Sequence, residues 1–147
     1  MPTRSVVTRV NDIMSSAPTS VHTSTTITQL LELFDRHDFN AFPVTNAANE
    51  LVGIVTKVDL LRALRPTEEH EVRERAKTSE LSVGEIMRDS VISVGGEAPI
   101  GEAADAMVET GLRSIPVVLD SDGRLQLVGM VSRGDVLRGF RLATRVE

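Results

Sequence analysis

A chain of 147 residues with 41% hydrophobic and 25% charged side chains has enough apolar matter for one shared core, which excludes two large independent domains and general disorder. Sixteen basic against 21 acidic residues give a net charge of -5, and no stretch is dense enough in Lys and Arg to neutralise many phosphates, so duplex nucleic acid is excluded as a main partner. The absence of cysteine removes disulfides, thiolate metal sites and cysteine nucleophiles, and aromatics at 3%, all Phe, leave no stacking platform for single strands.

In chain order, residues 1–10 hold polar residues and two arginines but no apolar run fit for a signal peptide or membrane span, which predicts a cytoplasmic protein with no membrane partner. A short strand is expected at 19–22. Ile27, Leu30, Leu31 and Phe34 then fall at i, i+3, i+4 and i+7, one helical stripe, with an N-cap offered by the hydroxyl run 23–26. Two strands follow, 41–45 and 51–55, and a helix begins at Thr56. Residues 66–82 read as a connector in which Thr67, Glu68 and Glu69 predict a helix start. The second half repeats the order: a strand at 90–94, a helix carrying Ile100, Ala103, Ala104 and Met107 and stopped by Gly111, strands at 114–119 and 127–131, and a helix from Ser132.

The repetition extends to residue identity. Residues 10–14 align on 83–87 at an offset of 73, which also places Ile27 on Ile100, Phe34 on Met107 and Pro43-Val44 on Pro116-Val117. The offset becomes 76 where Gly53-Ile54-Val55-Thr56 meets Gly129-Met130-Val131-Ser132 and Asp59 meets Asp135. The three extra residues fit the turn between the second copy's two strands, where Asp122-Gly123 is a hairpin signal. Two β-α-β-β-α units, 1–65 and 83–147, are therefore expected around the connector. The strands 51–55 and 128–131, apolar almost throughout, should be buried on both faces.

The ordered set Phe42-Pro43-Val44 with Gly53-Ile54-Val55-Thr56-Lys57-Val58-Asp59, repeated as Ile115-Pro116-Val117 with Gly129-Met130-Val131-Ser132-Arg133-Gly134-Asp135, resembles the cystathionine β-synthase (CBS) domain pair, or Bateman module. The resemblance implies an α/β (α+β) fold of two repeats in pseudo-twofold symmetry, with clefts for adenosine-containing ligands such as AMP, ADP, ATP or S-adenosylmethionine. It also implies that Asp59 and Asp135 hold ribose hydroxyls, that Thr56 and Ser132 assist, and that backbone groups of Ala41, Phe42 and Pro43, and of Ser114, Ile115 and Pro116, read the adenine edge. Arg113 matches a position where the family places a phosphate-binding Arg or His. Its counterpart is Asn40, so the clefts should be unequal. Lys57 and Arg133, in the first turn of the last helices, could also reach a phosphate.

The chemistry is sound without the family, because a carboxylate accepts two hydrogen bonds from vicinal hydroxyls and a helix N-terminus favours phosphate. The same T/S-x-x-D spacing is also that of a capping box, and one hydroxyl can serve both purposes. His22, His37 and His70 lack ligand spacing, so no metal site is expected, and His37-Asp38 reads as a helix-end cap. No nucleophile elbow, Walker loop or dinucleotide fingerprint occurs, so neither enzymatic activity nor a required cofactor is expected. The reading is a regulatory adenosine-ligand sensor, with a ligand-free interaction module as the alternative. It is expected to form a homodimer through apolar stripes such as Leu30-Leu31-Phe34 or Leu60-Leu61-Leu64, and to act on an enzyme or transporter in trans.

Overall fold

The computed structural model describes residues 8–65 and 81–144. The helix start expected at Thr67 to Glu69, and His70, lie outside the described residues. Two compact units emerge: a continuous one, Thr19–Val91, and a discontinuous one that joins the chain up to Pro18 with the chain from Ile92 onward. The unit of packing is thus offset from the unit of duplication.

In the continuous unit a three-stranded sheet has the order β2 (Val21–His22), β3 (Ala41–Thr45), β4 (Leu51–Thr56), with helices α2 (Ile27–Arg36), α3 (Lys57–Leu64) and α4 (Val83–Ile86). In the discontinuous unit the sheet order is β1 (Ser15–Ser16), β7 (Arg124–Ser132), β6 (Ser114–Ser121), β5 (Val94–Gly95), with α1 (Val10–Ile13), α5 (Ile100–Thr110) and α6 (Arg133–Thr144). The edge strands β2 and β5 are shorter than expected, because each finds only two parallel partners, on β3 and β6 respectively. Among the described residues no helix is long and apolar enough to cross a membrane.

Local signals act as their chemistry demands. Thr26 caps α2, its hydroxyl accepting from Gln29 N at 3.1 Å while its own N–H donates to Gln29 Oε1 at 2.9 Å. Gly111 ends α5 in the left-handed region at φ +74, donating to Met107 O at 2.8 Å. The Asp122-Gly123 turn has positive φ at both residues, +54 and +84, the requirement of a two-residue hairpin. His37 is the C-cap of α2, as expected of its place. Of the predicted α2 stripe, Ile27 and Leu30 are fully buried and Phe34 half-buried, but Leu31 stands 42% exposed. A groove beside β2 is lined by Gln29, Glu32, Leu33 and Arg36, so Leu31 sits on the flank of α2 turned away from β2.

The two cores are built from equivalent positions. Val21, Ile27, Leu30, Phe42, Val44, Val55, Leu60 and Val83 pack in one, and Val94, Ile100, Ala103, Ile115, Val117, Val131, Val136 and Val10 stand in the same places in the other. Val83 and Val10 show the exchange: each arrives from the segment that begins the opposite repeat. Val10 N donates to Ala98 O and Asn11 N to Gly96 O, both at 2.9 Å; Val83 N donates to Thr25 O at 2.7 Å and Gly84 N to Thr23 O at 2.9 Å. Burying each valine contributes about 1.5–3 kcal/mol to the unit that receives it.

The exchanged segments then cross the sheets over glycine. Arg88 and Ile54 exchange two backbone bonds, 2.8 and 2.9 Å, and Ser15 pairs with Met130 in the equivalent place. Because Ile54 faces Arg88, its partner Pro43 across β3 is at a position where β4 asks for no N–H, which is how proline is tolerated in a central strand. A Cβ on Gly53 would lie 2.5 Å from Met87 Sδ and 2.9 Å from Arg88 O; on Gly129 it would lie 2.5 Å from Met14 Sδ and 2.9 Å from Ser15 O. Gly53→Ala and Gly129→Ala should each lower unfolding free energy by about 1–3 kcal/mol through overpacking. Gly101→Ala, in the open first turn of α5, should be neutral or raise it by up to about 1 kcal/mol; urea denaturation midpoints check both.

Candidate functional site

Each strand-to-helix corner gathers the predicted residues at one end of its sheet. In the continuous unit Ala41 pairs with Thr56, Phe42 with Val55 and Pro43 with Ile54, and Lys57 N donates to Asn40 O at 3.0 Å. In the discontinuous unit Ser114 pairs with Ser132, Ile115 with Val131 and Pro116 with Met130, and Arg133 N donates to Arg113 O at 3.1 Å. The strand geometry therefore delivers the T/S-x-x-D turn beside the h-P-V strand twice.

Both turns are capping boxes. Asp59 N donates to Thr56 Oγ1 at 3.1 Å and Thr56 N to Asp59 Oδ2 at 2.8 Å; Asp135 N donates to Ser132 Oγ at 3.1 Å and Ser132 N to Asp135 Oδ2 at 2.8 Å. Capping takes one oxygen of each carboxylate and leaves the other, so the cap and a ligand contact are compatible in principle. An arginine one turn on, Arg62 or Arg138, reaches that second oxygen in each copy.

There the corners diverge. The Asp59 side chain is only 3% exposed, and its Oδ1 also accepts from Arg88 Nε at 3.2 Å. The Asp135 side chain is 14% exposed and, among the described residues, has Arg138 as its one charged neighbour. Sequence reasoning did not find Arg62, Arg88 or Arg138. The repeated D-x-x-R spacing could have revealed the first and third; Arg88 has no counterpart in the other copy and gave no signal.

The predicted cations are held differently. Arg133 donates to Gly111 O at 2.9 Å and Leu112 O at 3.3 Å, closing the end of α5. Lys57 Nζ lies 5.9 Å from the centre of the Phe34 ring. Arg113 is exposed beside the Asp135 corner and has no side-chain partner among the described residues. Of the histidines, His37 stacks on Phe39 with centroids 4.9 Å apart, and His22 Nδ1 lies 3.2 Å from Thr45 O. An open groove of about 300 Å³, lined by His22, Gln29, Glu32 and Arg36 among others, lies at the far end of the continuous unit's sheet and contains none of the predicted residues.

The CBS domain family is matched at residues 10–66 and 83–141. The chain is 30% identical over 139 residues to L-aspartate semialdehyde sulfurtransferase of Methanocaldococcus jannaschii; the match covers 95% of this chain but spans only 24% of that protein. Among solved structures, CBSX2 of Arabidopsis thaliana in complex with AMP has a TM-score of 0.76 at 31% identity, covering 93% of this chain and 98% of that one. The CBS domain pair of protein MJ0100, in complex with 5′-methylthioadenosine and S-adenosyl-L-methionine, has a TM-score of 0.73 at 28% identity, covering 92% and 98%. With the duplicated fold, both corner motifs and two family matches that span most of its length, the chain belongs to the CBS domain family, as a CBS domain pair.

Proposed function

We propose that this CBS pair is a non-catalytic sensor of an adenosine-containing ligand, and that it grips the ribose at the Ser132–Asp135 corner. The observation that carries the reading is the state of Asp135: one oxygen caps α6, the carboxylate remains partly open, and Arg113, whose side chain has no partner among the described residues, stands beside its corner. Two free acceptor positions suit two vicinal hydroxyls, and the α6 N-terminus with Arg113 suits a phosphate. CBSX2 with AMP and MJ0100 with S-adenosyl-L-methionine support the ligand class. Binding would order the corner and shift the affinity of the protein for an enzyme or transporter in trans.

Asp135→Asn separates the ligand role from the cap, because an amide oxygen still accepts from Ser132 N while its NH₂ cannot accept a hydroxyl. Calorimetric titration with AMP should show affinity at least about tenfold weaker, about 1.4 kcal/mol, with the denaturation midpoint little changed. Arg113→Ala should weaken AMP binding and spare adenosine. Equal AMP affinity in wild type and Asp135→Asn would overturn the ribose assignment.

A second reading, self-association, is favoured by exposed apolar side chains at equivalent helix positions. Leu61 on α3 is 67% exposed and Leu137 on α6 is 69% exposed, while their neighbours Leu60 and Val136 are buried. Similar exposure of an apolar side chain at the same duplicated position in both copies supports a contact role for these leucines. Light scattering should give a homodimer that Leu61→Glu with Leu137→Glu converts to monomer without loss of helicity.

A further inference from the structure

The corners descend from one motif yet differ at one decisive position. At the offset of 73 that superposes the exchanged segments, Arg88 of the continuous unit stands where Ser15 stands in the discontinuous unit. Both residues make the same backbone pairing, Arg88 to Ile54 and Ser15 to Met130, so each side chain leaves the chain from the same place beside its corner. Only the arginine has the length and charge to reach the carboxylate.

The acceptor inventory gives the consequence. An ionised carboxylate has about four lone-pair positions. Asp59 accepts hydrogen bonds from Thr56 N and Arg88 Nε, its Oδ1 also stands 3.5 Å from Arg62 Nη1 in an ion pair, and its side chain is 3% exposed. Asp135 receives Ser132 N and the Arg138 guanidinium, and is 14% exposed. Two vicinal hydroxyls need two acceptor positions. Asp135 keeps its second oxygen partly open beside one guanidinium among the described residues, whereas two guanidiniums and near-complete burial close off the second oxygen of Asp59.

We infer that Arg88 is a built-in occupant of the Asp59 carboxylate, closing the continuous unit's corner and leaving the chain one adenosine site, at Asp135. This rests on the adenosine reading given above. Arg88 Nε–H donates to the one carboxylate oxygen that the cap leaves over, the oxygen a ribose hydroxyl would need, so the arginine takes the ligand's place there from within the chain. Its own side chain is 44% exposed, so the occupant can be removed without opening a core.

The test exchanges the two residues. Calorimetric titration of the full chain with AMP should give one site per chain for wild type and two for Arg88→Ser. The gained site should persist in Arg88→Ser combined with Asp135→Asn. Arg88→Ser should fold, because serine already makes this backbone pairing at position 15. Conversely, Ser15→Arg should weaken the wild-type site at least tenfold. Two sites in wild type, or one unchanged site in Arg88→Ser together with an undiminished site in Ser15→Arg, would overturn the inference. Wild type that binds no AMP would sink the adenosine reading instead. The gate would then stand if Arg88→Ser created a site and fall if it did not.

Discussion

The close crossing of a methionine-bearing segment over a bare glycine in each sheet is the contact on which the rest of this protein depends. At Gly53 and Gly129 the strand surface is stripped of its Cβ, which lets the backbone at Arg88 and Ser15 approach and pair. That approach carries Val83 and Val10 into their cores, closes the sheets, and sets the residues that border each corner. Methionine suits the crossing, since an unbranched thioether conforms to a flat backbone where a branched chain would not. The glycine of the G-h-V-[ST]-x-x-D motif is therefore a steric requirement imposed from outside its own repeat.

Much of this could be read from residues. Duplication located both corners, the period of Ile27, Leu30 and Phe34 located α2, and Asp122-Gly123 located a hairpin tip. The exchange of segments could not be read, because local pattern shows that residues 10–14 and 83–87 resemble each other but not which sheet each one completes. Leu31 misled for a related reason: helical periodicity gives the direction of a side chain, whereas burial needs something opposite it, and Leu31 lies at the margin of the stripe, 42% exposed. Arg88 was invisible because its meaning lies in a contact 29 residues distant with Asp59.

The corners also show how one short motif serves stability and recognition together. A capping box asks for one acceptor oxygen and so leaves the remainder of the carboxylate to its surroundings. At Asp59 those surroundings are two arginines and near-complete burial; at Asp135 they are one arginine and partial access. The motif itself is the same in both places. What a corner can do is set by side chains that enter it from elsewhere, such as the arginine that precedes Asp89, and a motif match alone is silent on that.

The discontinuity of one unit bears on how the protein is made. Ribosomes release chains at about 5–20 residues per second. The continuous unit, Thr19–Val91, has all its parts once Val91 is out, but Met14 must wait for Gly129, 115 residues later, or roughly 6–23 s. For that interval the segment that holds Val10 and Ile13 stays uncovered while residues translated after it already pack. The middle of the chain thus assembles ahead of the segment that precedes it, and whatever shields nascent apolar side chains in the cell is needed most by residues 10–14.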